Sequence, residues 1–369
     1  MNSSLPKGSI LLVSEPISAG FFSVYPHALM AGLSDAGVPH LLITSARPGY
    51  GQLPEHELVN VQVVNGLFWS FWRPFIFRKL TAFLAEHEPL VIHGLSAFTA
   101  PVCTRLAQAL DIPFIITVQH FQKLGSLRVE KHCQGFIAVS EPVRENLVND
   151  AHLPKELVRH IPAGIRIPVE MPARRAAAGG VDTVPLVSSF GRLIKRKDHL
   201  TFLKAVRLIV DKLGSNCSFV IAGDGPEESA LRKCARELGV DKQVTFCHGS
   251  ASHEEVLRDT DVYVQCSRSE GFGTMVLQAM ASGVPVVATS TGGILSLVKN
   301  GETGYLVNVG DADALAARIM TLLIDRELCR RLGAAARQSA LANYNLEHMM
   351  THTIKFYGEC IASRGEVRV

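Results

Sequence analysis

The sequence lacks the features that define several classes of protein. Its eight cysteines lie far apart without a Cys-x-x-Cys pair, and several, such as Cys217, Cys247 and Cys266, fall within apolar, strand-like runs. Thiols in this pattern are typical of a reducing cytosol and argue against a disulfide framework or a zinc site. The apolar run near the N-terminus is too short for a signal-peptide core or a membrane span. We therefore expect a cytoplasmic protein.

The sequence also has little net charge. Its formal net charge is +3, and its lysines and arginines are dispersed instead of being gathered in a basic run. Nucleic-acid-binding proteins usually carry such a run or patch, so we expect no nucleic-acid partner. A length of 369 residues with 47% hydrophobic and 19% charged residues suits two globular domains of ordinary size.

Apolar, strand-like runs alternate with amphipathic helical patterns along the chain. In the first half the predicted elements are a helix at residues 22–36 and strands at residues 10–14, 40–44, 91–93 and 114–118. Continuous apolar strands separated by helices predict parallel sheets covered on both faces. Residues 166–184 are rich in Pro, Ala, Arg and Gly without apolar periodicity, which predicts a linker between two α/β domains.

A carboxylate and a glycine turn stand between a predicted buried strand and a predicted helix. Glu270 and the turn at residues 271–273 follow the apolar run at 262–266 and precede the helix pattern of Thr274–Ala281. Glycines let a ligand approach the backbone, and the open N–H groups of a helix N-terminus favour negative charge. The carboxylate suits sugar hydroxyls, which donate hydrogen bonds to it. The segment therefore predicts an anion site next to a sugar-binding carboxylate.

A basic segment follows the predicted strand at residues 186–190. Arg192, Lys195, Arg196 and Lys197 lie within six residues at a strand-to-helix junction. Arginine forks and mobile lysine charges can surround a diphosphate there. A solvated basic turn that caps the next helix is the alternative interpretation.

These residues resemble the donor-site signature of retaining glycosyltransferase family 4. The signature is the order Ser-x-x-Glu-Gly-Phe-Gly, Ala-Met-Ala-x-Gly-Val-Pro-Val-Val-Ala, Gly-Gly and Asn-Gly-x-x-Gly within residues 267–304, with matching blocks at 191–197, 221–226 and 244–249. The resemblance implies the GT-B fold, an α/β architecture of two Rossmann-like domains facing across a cleft. The domains it implies are an acceptor-binding domain at residues 1–165, a linker at 166–184, a nucleotide-sugar-binding domain at 185–345 and a C-terminal helix at 346–369 that crosses back to the first domain.

The resemblance also implies roles for single residues of the second domain. Glu270 would orient sugar hydroxyls, while Arg192 and Lys197 would stabilise the departing phosphate. Further donor contacts would come from Gly249, Gly271, Phe272, Gly273 and Thr274. Eight positions after the first Glu the family usually carries a second, which is thought to hold the ribose, but this sequence has Gln278. An amide oxygen accepts a hydrogen bond without the strengthening charge, so we expect weaker nucleotide binding.

The candidate residues of the first domain follow predicted strands. His120 resembles the strand-end His of the family that faces donor sugar and acceptor, although a structural hydrogen-bonding role is the usual interpretation of such a residue alone. His93 occupies another His position of the family, but Leu95 replaces the second His there. Gly20 stands alone where many relatives have paired glycines, and it would let the diphosphate or the acceptor approach.

Two Asp-x-Asp strings could suggest the metal motif of the other major glycosyltransferase fold. The string at residues 259–261 precedes its strand, and the string at 311–313 begins a helix pattern, as an N-cap would. We interpret both as structural. The leaving-group charge would then be met by Arg192, Lys197 and a helix N-terminus, so we expect no obligatory metal or other cofactor.

Residues 68–79 hold both tryptophans and read FWSFWRPFIFRK. Aromatic rings flanked by basic residues suit a membrane interface, which would place the protein at the inner face of the cell membrane. The alternative is a core helix in which Trp72, Ile76, Leu80 and Phe83 share the face toward the sheet. Both interpretations stay open at the level of the sequence.

The function that the resemblance implies is retaining transfer of a sugar from a nucleotide-sugar, most commonly a UDP-sugar, to a hydroxyl of a glycan or lipid-linked acceptor. Bacterial cell-surface polysaccharide, lipopolysaccharide and glycolipid biosynthesis are the common settings of such chains. The changes at Gln278 and Leu95 suggest an alternative, a non-catalytic GT-B-like subunit that binds glycan or partners with an active transferase, whereas the intact Glu270, Arg192, Lys197 and His120 argue for the enzyme. A nucleotide-sugar epimerase of the same architecture would need acid and base carboxylates that are not evident.

Overall fold

The computed structural model describes residues 8–15, 24–45, 61–64, 67–68, 73–167, 184–247 and 253–366. The chain divides into two compact units. The first contains Ser23–Gly164 and Leu346–Val369 together with the N-terminal strand, and the second contains Ile165–Asn345. Each unit is built on a parallel sheet with helices, which confirms the predicted α/β class.

The sheet of the first unit contains every strand predicted for that half of the chain. Its described strands are β1 (Ile10–Val13), β2 (His40–Thr44), β3 (Val61–Val63), β4 (Val91–Gly94), β5 (Phe114–Val118), β6 (Cys133–Ala138) and β7 (Val158–His160). They lie parallel in the order β3-β2-β1-β4-β5-β6-β7. The strand order therefore reverses between β1 and β4, and ligands of such sheets bind beyond the carboxyl ends of the strands at this point.

Helices cover the first sheet. The described helices before residue 165 are α1 (Val24–Asp35), α2 (Arg73–His87), α3 (Ala100–Leu110) and α4 (Glu141–Asn149). On α2 the side chains of Leu80 and Phe83 are buried, which confirms that this face packs in the core, and Ile76 is half-buried. Trp72 lies outside the described residues.

The C-terminal helix α12 (Leu346–Glu366) returns to the first unit, as predicted. It packs against α1, where a Cβ atom on Gly32 would lie 2.4 Å from the Cγ atom of Met350. The Tyr357 hydroxyl of α12 lies 2.6 Å from Nδ1 of His93 on β4. Close backbone approach and a buried hydrogen bond thus fix this helix to the first unit.

The second unit repeats the architecture. Its described strands are β8 (Leu186–Phe190), β9 (Ser218–Ala222), β10 (Val244–Cys247), β11 (Val262–Gln265), β12 (Val286–Thr289) and β13 (Gly304–Val307). They lie parallel in the order β10-β9-β8-β11-β12-β13, so the strand order reverses between β8 and β11. The residues that follow these two strands are therefore the ones placed for ligand binding.

The helices of the second unit connect these strands and bury apolar faces against them. They are α5 (His199–Leu213), α6 (Glu228–Glu237), α7 (His253–Asp259), α8 (Thr274–Ala281), α9 (Ile294–Leu297), α10 (Ala312–Ile324) and α11 (Arg326–Asn343) among the described residues. α8 is buried along most of its length because it packs against α11 and the sheet. Its N-terminus faces the loop that leaves β11, where Glu270 lies.

Candidate functional site

The loop after β8 brings Lys197 close to the strand end. Gly191 has a φ angle of +147°, and the position of its missing Cβ atom is 3.5 Å from Cε of Lys197. Gly223, after β9, packs so closely that a Cβ atom there would lie 2.0 Å from the Gly191 carbonyl oxygen. Gly191 is therefore needed for its backbone conformation and Gly223 for close backbone packing, and together they fix the path of the loop from which Lys197 projects.

Lys197 forms an ion pair with Glu270. The Nζ atom of Lys197 lies 2.6 Å from Oε2 of Glu270, and the Ser267 hydroxyl donates to the same oxygen at 2.9 Å. Glu270 is only 5% exposed. The sequence predicted both residues at the site, but it assigned them separate roles and gave no sign of the ion pair.

The charge state of Glu270 follows from these contacts. Burial raises the pKa of the carboxyl, whereas the charge and the hydrogen bond of Lys197, the charge of Arg196 and the hydrogen bond of Ser267 lower it. The net result is a pKa below the ordinary value of 4.5. Glu270 is therefore ionised at neutral pH and can accept hydrogen bonds but not donate them.

The glycine turn at residues 271–273 joins Glu270 to α8. Gly273 is the N-cap residue of α8 with a φ angle of +96°, and no side chain caps the helix. The Gly293 amide donates to the Glu270 carbonyl oxygen at 3.0 Å. A Cβ atom on Gly293 would lie 2.3 Å from the Gly271 carbonyl oxygen, so only glycine permits this packing. The turn leaves the first N–H groups of α8 available to an anion.

The remaining basic residues of the segment differ in their surroundings. Arg192 and Lys195 are exposed, as suits groups that meet a ligand or water. Arg196 is half-buried, its guanidinium donates to the Ser269 carbonyl oxygen at 3.5 Å, and its own carbonyl oxygen accepts from the Arg268 amide at 2.8 Å. Its backbone and side chain therefore hold the basic loop against the loop of Glu270, and its charge acts on the Glu270 carboxyl.

A buried histidine, His199, is the first residue of α5 and follows the basic loop directly. His199 is 2% exposed, and its Nδ1 atom lies 3.4 Å from the Ser189 hydroxyl. Burial, followed by the positive charge of Lys197, lowers the pKa of His199 to about 4. The ring is therefore neutral at physiological pH and adds no charge to the site.

Gln278 is the fifth residue of α8, about one turn after the start of the helix at Thr274. Its side chain is half-buried, and its Oε1 atom is buried without a hydrogen-bond partner among the described residues. An unpaired buried acceptor costs free energy unless a ligand or water supplies a donor. This is consistent with the predicted ribose contact, which stays a prediction.

Polar side chains also gather at the carboxyl edge of the first sheet. His120 is exposed and follows β5, as the sequence predicted. The Ser96 hydroxyl after β4 donates to Oε1 of Glu15 after β1 at 2.7 Å, and Nε2 of Gln119 donates to the Leu95 carbonyl oxygen at 2.7 Å. Glu15 and Ser96 were not singled out in the sequence, although both follow strands that adjoin the reversal of strand order.

His93 is placed differently from a substrate-binding residue. It is fully buried on β4, and its ring nitrogens lie 2.6 Å from the Tyr357 hydroxyl and 2.7 Å from the Thr117 hydroxyl. Burial lowers the pKa of His93 to about 3. The ring is therefore neutral and occupied on both sides. Its role is to hold α12 against the sheet, which corrects its interpretation as a site residue.

Several predicted residues lie outside the described part of the chain. They are Gly20, Gly249, both tryptophans and most of the predicted linker at residues 166–184.

The Asp-x-Asp strings behave as structural elements where their contacts are described. The Asp311 side chain accepts from the Ala314 amide at 2.9 Å and caps α10, as predicted. Asp261 is buried, accepts from the Leu186 amide at 2.8 Å and pairs with Arg326 at 3.0 Å. The described residues contain no group of three or more His, Cys, Asp or Glu side chains arranged to hold a metal ion.

Two family models match the chain in succession. The model described as Glycosyltransferase Family 4 matches residues 23–167, and the model described as Glycosyl transferases group 1 matches residues 172–339. The first match covers strands β2 to β7 of the first sheet, with His120 and Ser96. The second covers the sheet with Lys197, Glu270 and Gln278.

Known proteins resemble the chain in sequence and in fold. N-acetyl-alpha-D-glucosaminyl L-malate synthase of Bacillus anthracis is 32% identical over 46% of this chain and 44% of its own length. A GDP-mannose-dependent alpha-(1-6)-phosphatidylinositol monomannoside mannosyltransferase of Mycobacterium tuberculosis is 33% identical over 47% of each chain. The matches thus span about half the length of these curated relatives. The structure of Anabaena HepE in complex with UDP and glucose superposes with a TM-score of 0.80 at 19% identity, covering 94% of this chain and 98% of HepE.

The two models cover both sheets between residues 23 and 339, and the structural neighbour shares the fold over nearly the whole chain. The protein therefore belongs to the glycosyltransferase group 1 and family 4 class, which has the GT-B fold.

Proposed function

We propose that this protein transfers a sugar from a nucleotide-sugar to an acceptor hydroxyl with retention of the anomeric configuration. The observation that carries the proposal is the buried ion pair of Lys197 and Glu270, which lies beside the open N-terminus of α8. Three features meet there: an ionised carboxylate, an ammonium and free backbone N–H groups. A sugar diphosphate offers the hydroxyls and the anion that these groups bind.

The diphosphate would lie against α8 and the basic loop. The backbone N–H groups that follow Gly273 would donate to the phosphate oxygens, and Arg192, which is exposed, would reach them from the basic loop. Lys197 gives one of its three N–H donors to Glu270 and keeps the others for the phosphate. These groups stabilise the negative charge that develops as the nucleotide leaves, without a need for the protein to reorganise.

Glu270 would bind hydroxyls of the transferred sugar. Its Oε2 atom already accepts from Lys197 and Ser267, so Oε1 is the oxygen that can accept from the sugar. A carboxylate held on one side by two donors has a fixed orientation, which positions the sugar for reaction. The acceptor would then attack from the face that the diphosphate leaves, and this geometry retains the anomeric configuration.

The class of donor and acceptor is inferred from the relatives. The neighbour HepE is described with UDP and glucose, and a relative is named as dependent on GDP-mannose. We propose a UDP-sugar as donor and a bacterial cell-surface polysaccharide, lipopolysaccharide or glycolipid as the product class. The first unit would bind the acceptor, with His120 at the carboxyl edge of its sheet.

A membrane contact through residues 68–79 is a further part of the proposal. Phe75 of α2 is 72% exposed, and Arg78 and Lys79 on the same helix are exposed as well. An exposed ring beside cations suits anionic lipid headgroups. Among the described helices, none is long and apolar enough to span a bilayer. Flotation with anionic liposomes tests the contact. We expect Phe75→Ser to bind these liposomes more weakly, and we expect no binding of the protein to zwitterionic liposomes.

Donor binding tests the site directly. Calorimetric titration of the protein with UDP, GDP and ADP and with their sugars should identify one nucleotide that binds, and Lys197→Met should weaken that binding about tenfold or more. Lys204→Met removes an exposed charge from α5 and serves as the control. The absence of binding for every nucleotide would contradict the proposal and favour the non-catalytic subunit.

A further inference from the structure

Three polar side chains alternate along β11 and its continuation. Tyr263, Gln265 and Ser267 are two residues apart, and alternate residues of a strand point to the same face. Their exposed fractions are 0%, 1% and 0%. Three buried polar side chains on one face of a central strand are unusual, because burial of a polar group costs free energy unless its hydrogen bonds are made.

The three side chains form a continuous chain of hydrogen bonds that ends at Glu270. The Tyr263 hydroxyl donates to Oε1 of Gln265 at 2.6 Å, and Nε2 of Gln265 donates to the Ser267 hydroxyl at 2.8 Å. Ser267 in turn donates to Oε2 of Glu270 at 2.9 Å. Every donor points toward the carboxylate, and we call these three residues the β11 relay.

The direction of the relay depends on Lys197. An ammonium only donates, so Oε2 of Glu270 must act as an acceptor at 2.6 Å from Nζ of Lys197. If the Gln265 amide were flipped, its oxygen would accept the hydrogen bond of the Ser267 hydroxyl. Ser267 could then no longer donate to Glu270. The ionised carboxylate and the observed direction of the relay therefore support each other.

We propose that Gln265 and Ser267 are positioning residues of the donor site, which fix Glu270 in its ionised form and in one orientation. The relay and Lys197 together occupy Oε2, so Oε1 alone is presented to the sugar. This inference rests on the proposed function, since it concerns how Glu270 receives the sugar. The two residues act through Glu270 and make no contact with the substrate themselves.

The charged groups around Glu270 are few among the described residues. Lys197 and Arg196 are the cations that act on its carboxyl, and Tyr263 is a neutral phenol whose pKa is raised by burial and then by the charge of Glu270. Arg268 is engaged by Asp198 at 3.1 Å. Loss of the Ser267 hydroxyl therefore removes a stabilising contact of the carboxylate while all charges stay in place.

The test compares Ser267→Ala with Ser188→Ala. Ser188 is also fully buried in this sheet, on β8, and its hydroxyl lies 2.8 Å from that of Thr260, so the control removes the same atom away from Glu270. Nucleotide release from the donor that calorimetry identifies is measured from pH 3.5 to pH 8, a range that includes the acidic limb expected for a carboxyl whose pKa lies below 4.5. Ser267→Ala should lower kcat/KM about tenfold and move the acidic limb of the profile to higher pH. Ser188→Ala should have the same pH profile as the protein without substitutions. Ser267→Thr, which keeps a hydroxyl at this position, should also have that profile.

A second measurement does not depend on turnover. The side-chain carboxyl carbons of ¹³C-glutamate report protonation by NMR, and Glu270→Gln assigns the signal of Glu270. In Ser267→Ala the titration of Glu270 should shift to higher pH, and in Gln265→Leu it should shift in the same direction by less. An unchanged titration in Ser267→Ala would overturn the inference, whether or not the protein turns over a donor. Failure of turnover with a shifted titration would instead count only against the proposed function.

Discussion

Replacement of Lys197 by Met removes the cation of the buried pair and leaves the carboxylate of Glu270 in place. The side chain of Glu270 is 6% exposed and that of Lys197 is 14% exposed, so water cannot readily replace the lost contact. A buried carboxylate that has lost its cation destabilises the folded protein, unless the carboxyl takes up a proton and becomes neutral. Protonation occurs when it costs less free energy than keeping the buried charge. The free energy of protonating the carboxyl is therefore the upper limit of the destabilisation.

The size of this limit depends on pH. An ordinary glutamate has a pKa of 4.5. Each unit of pH above this value makes protonation more costly by about 1.4 kcal/mol, which gives about 3.4 kcal/mol at pH 7 and about 1.4 kcal/mol at pH 5.5. We expect Lys197→Met to destabilise the second unit by up to these amounts. Addition of Glu270→Gln should recover most of the loss, because it removes the charge.

Amide hydrogen exchange of peptides from β11 and α8 measures the local free energy of unfolding at both pH values. Tryptophan fluorescence is unsuitable, since both tryptophans precede residue 73 and the pair lies in the second unit. Lys204→Met, exposed on α5, is the matched control and should change stability by less than about 0.5 kcal/mol. An equal loss of stability in Lys197→Met at both pH values, or a double variant no more stable than Lys197→Met alone, would contradict this role of the ion pair.

Three further predictions follow from other contacts. Gly293→Ala places a methyl group 2.3 Å from a carbonyl oxygen of the glycine turn, so it should abolish donor binding in calorimetry, while Gly358→Ala, where the added atom meets nothing, should bind normally. The folded-state pKa values of His93 and His199 are lowered to about 3 and about 4, so the unfolded chain binds more protons below pH 6.5. Each unit should therefore lose about 1.6 kcal/mol of stability between pH 6.5 and pH 5, and a flat exchange profile over this range would contradict the assignment. Gln278→Glu should tighten nucleotide binding about fivefold, and no gain in calorimetry would remove the ribose interpretation.

Much of the fold could be predicted from the sequence because its strands are short and apolar. The run at residues 114–118 became β5 without change, and the helix pattern after Thr274 began and ended as α8 does. β3 was not predicted, because a strand of three residues gives too little periodicity. The local signals were thus sufficient for β5 and α8 but not for so short a strand as β3.

The sequence predicted single residues of the candidate site but not the contacts between them. Lys197 and Glu270 are 73 positions apart, and only the parallel order of β8 and β11 brings them together. No local pattern contains this information. The β11 relay did leave a signal, since Tyr263, Gln265 and Ser267 alternate within an otherwise apolar run. Polar residues at a spacing of two in a central strand indicate a buried network.

The burial of His93 is a feature that the sequence could not predict. A histidine at the end of a strand suggests a ligand contact, and the sequence cannot tell which side chain will cover it. The cover comes from Tyr357, 264 positions away on α12. Burial of both ring nitrogens then converts a candidate site residue into a structural one.

The proposed function requires that Glu270 acts in the transfer of a sugar. The direct measurement is nucleotide release from UDP-glucose and GDP-mannose by the purified protein and by Glu270→Gln, which keeps the shape of the side chain and removes its charge. We predict turnover of one donor by the protein and a loss of about 10² in rate or more in the variant. Equal rates for the two proteins would contradict the claim that the Lys197–Glu270 pair is the centre of the donor site.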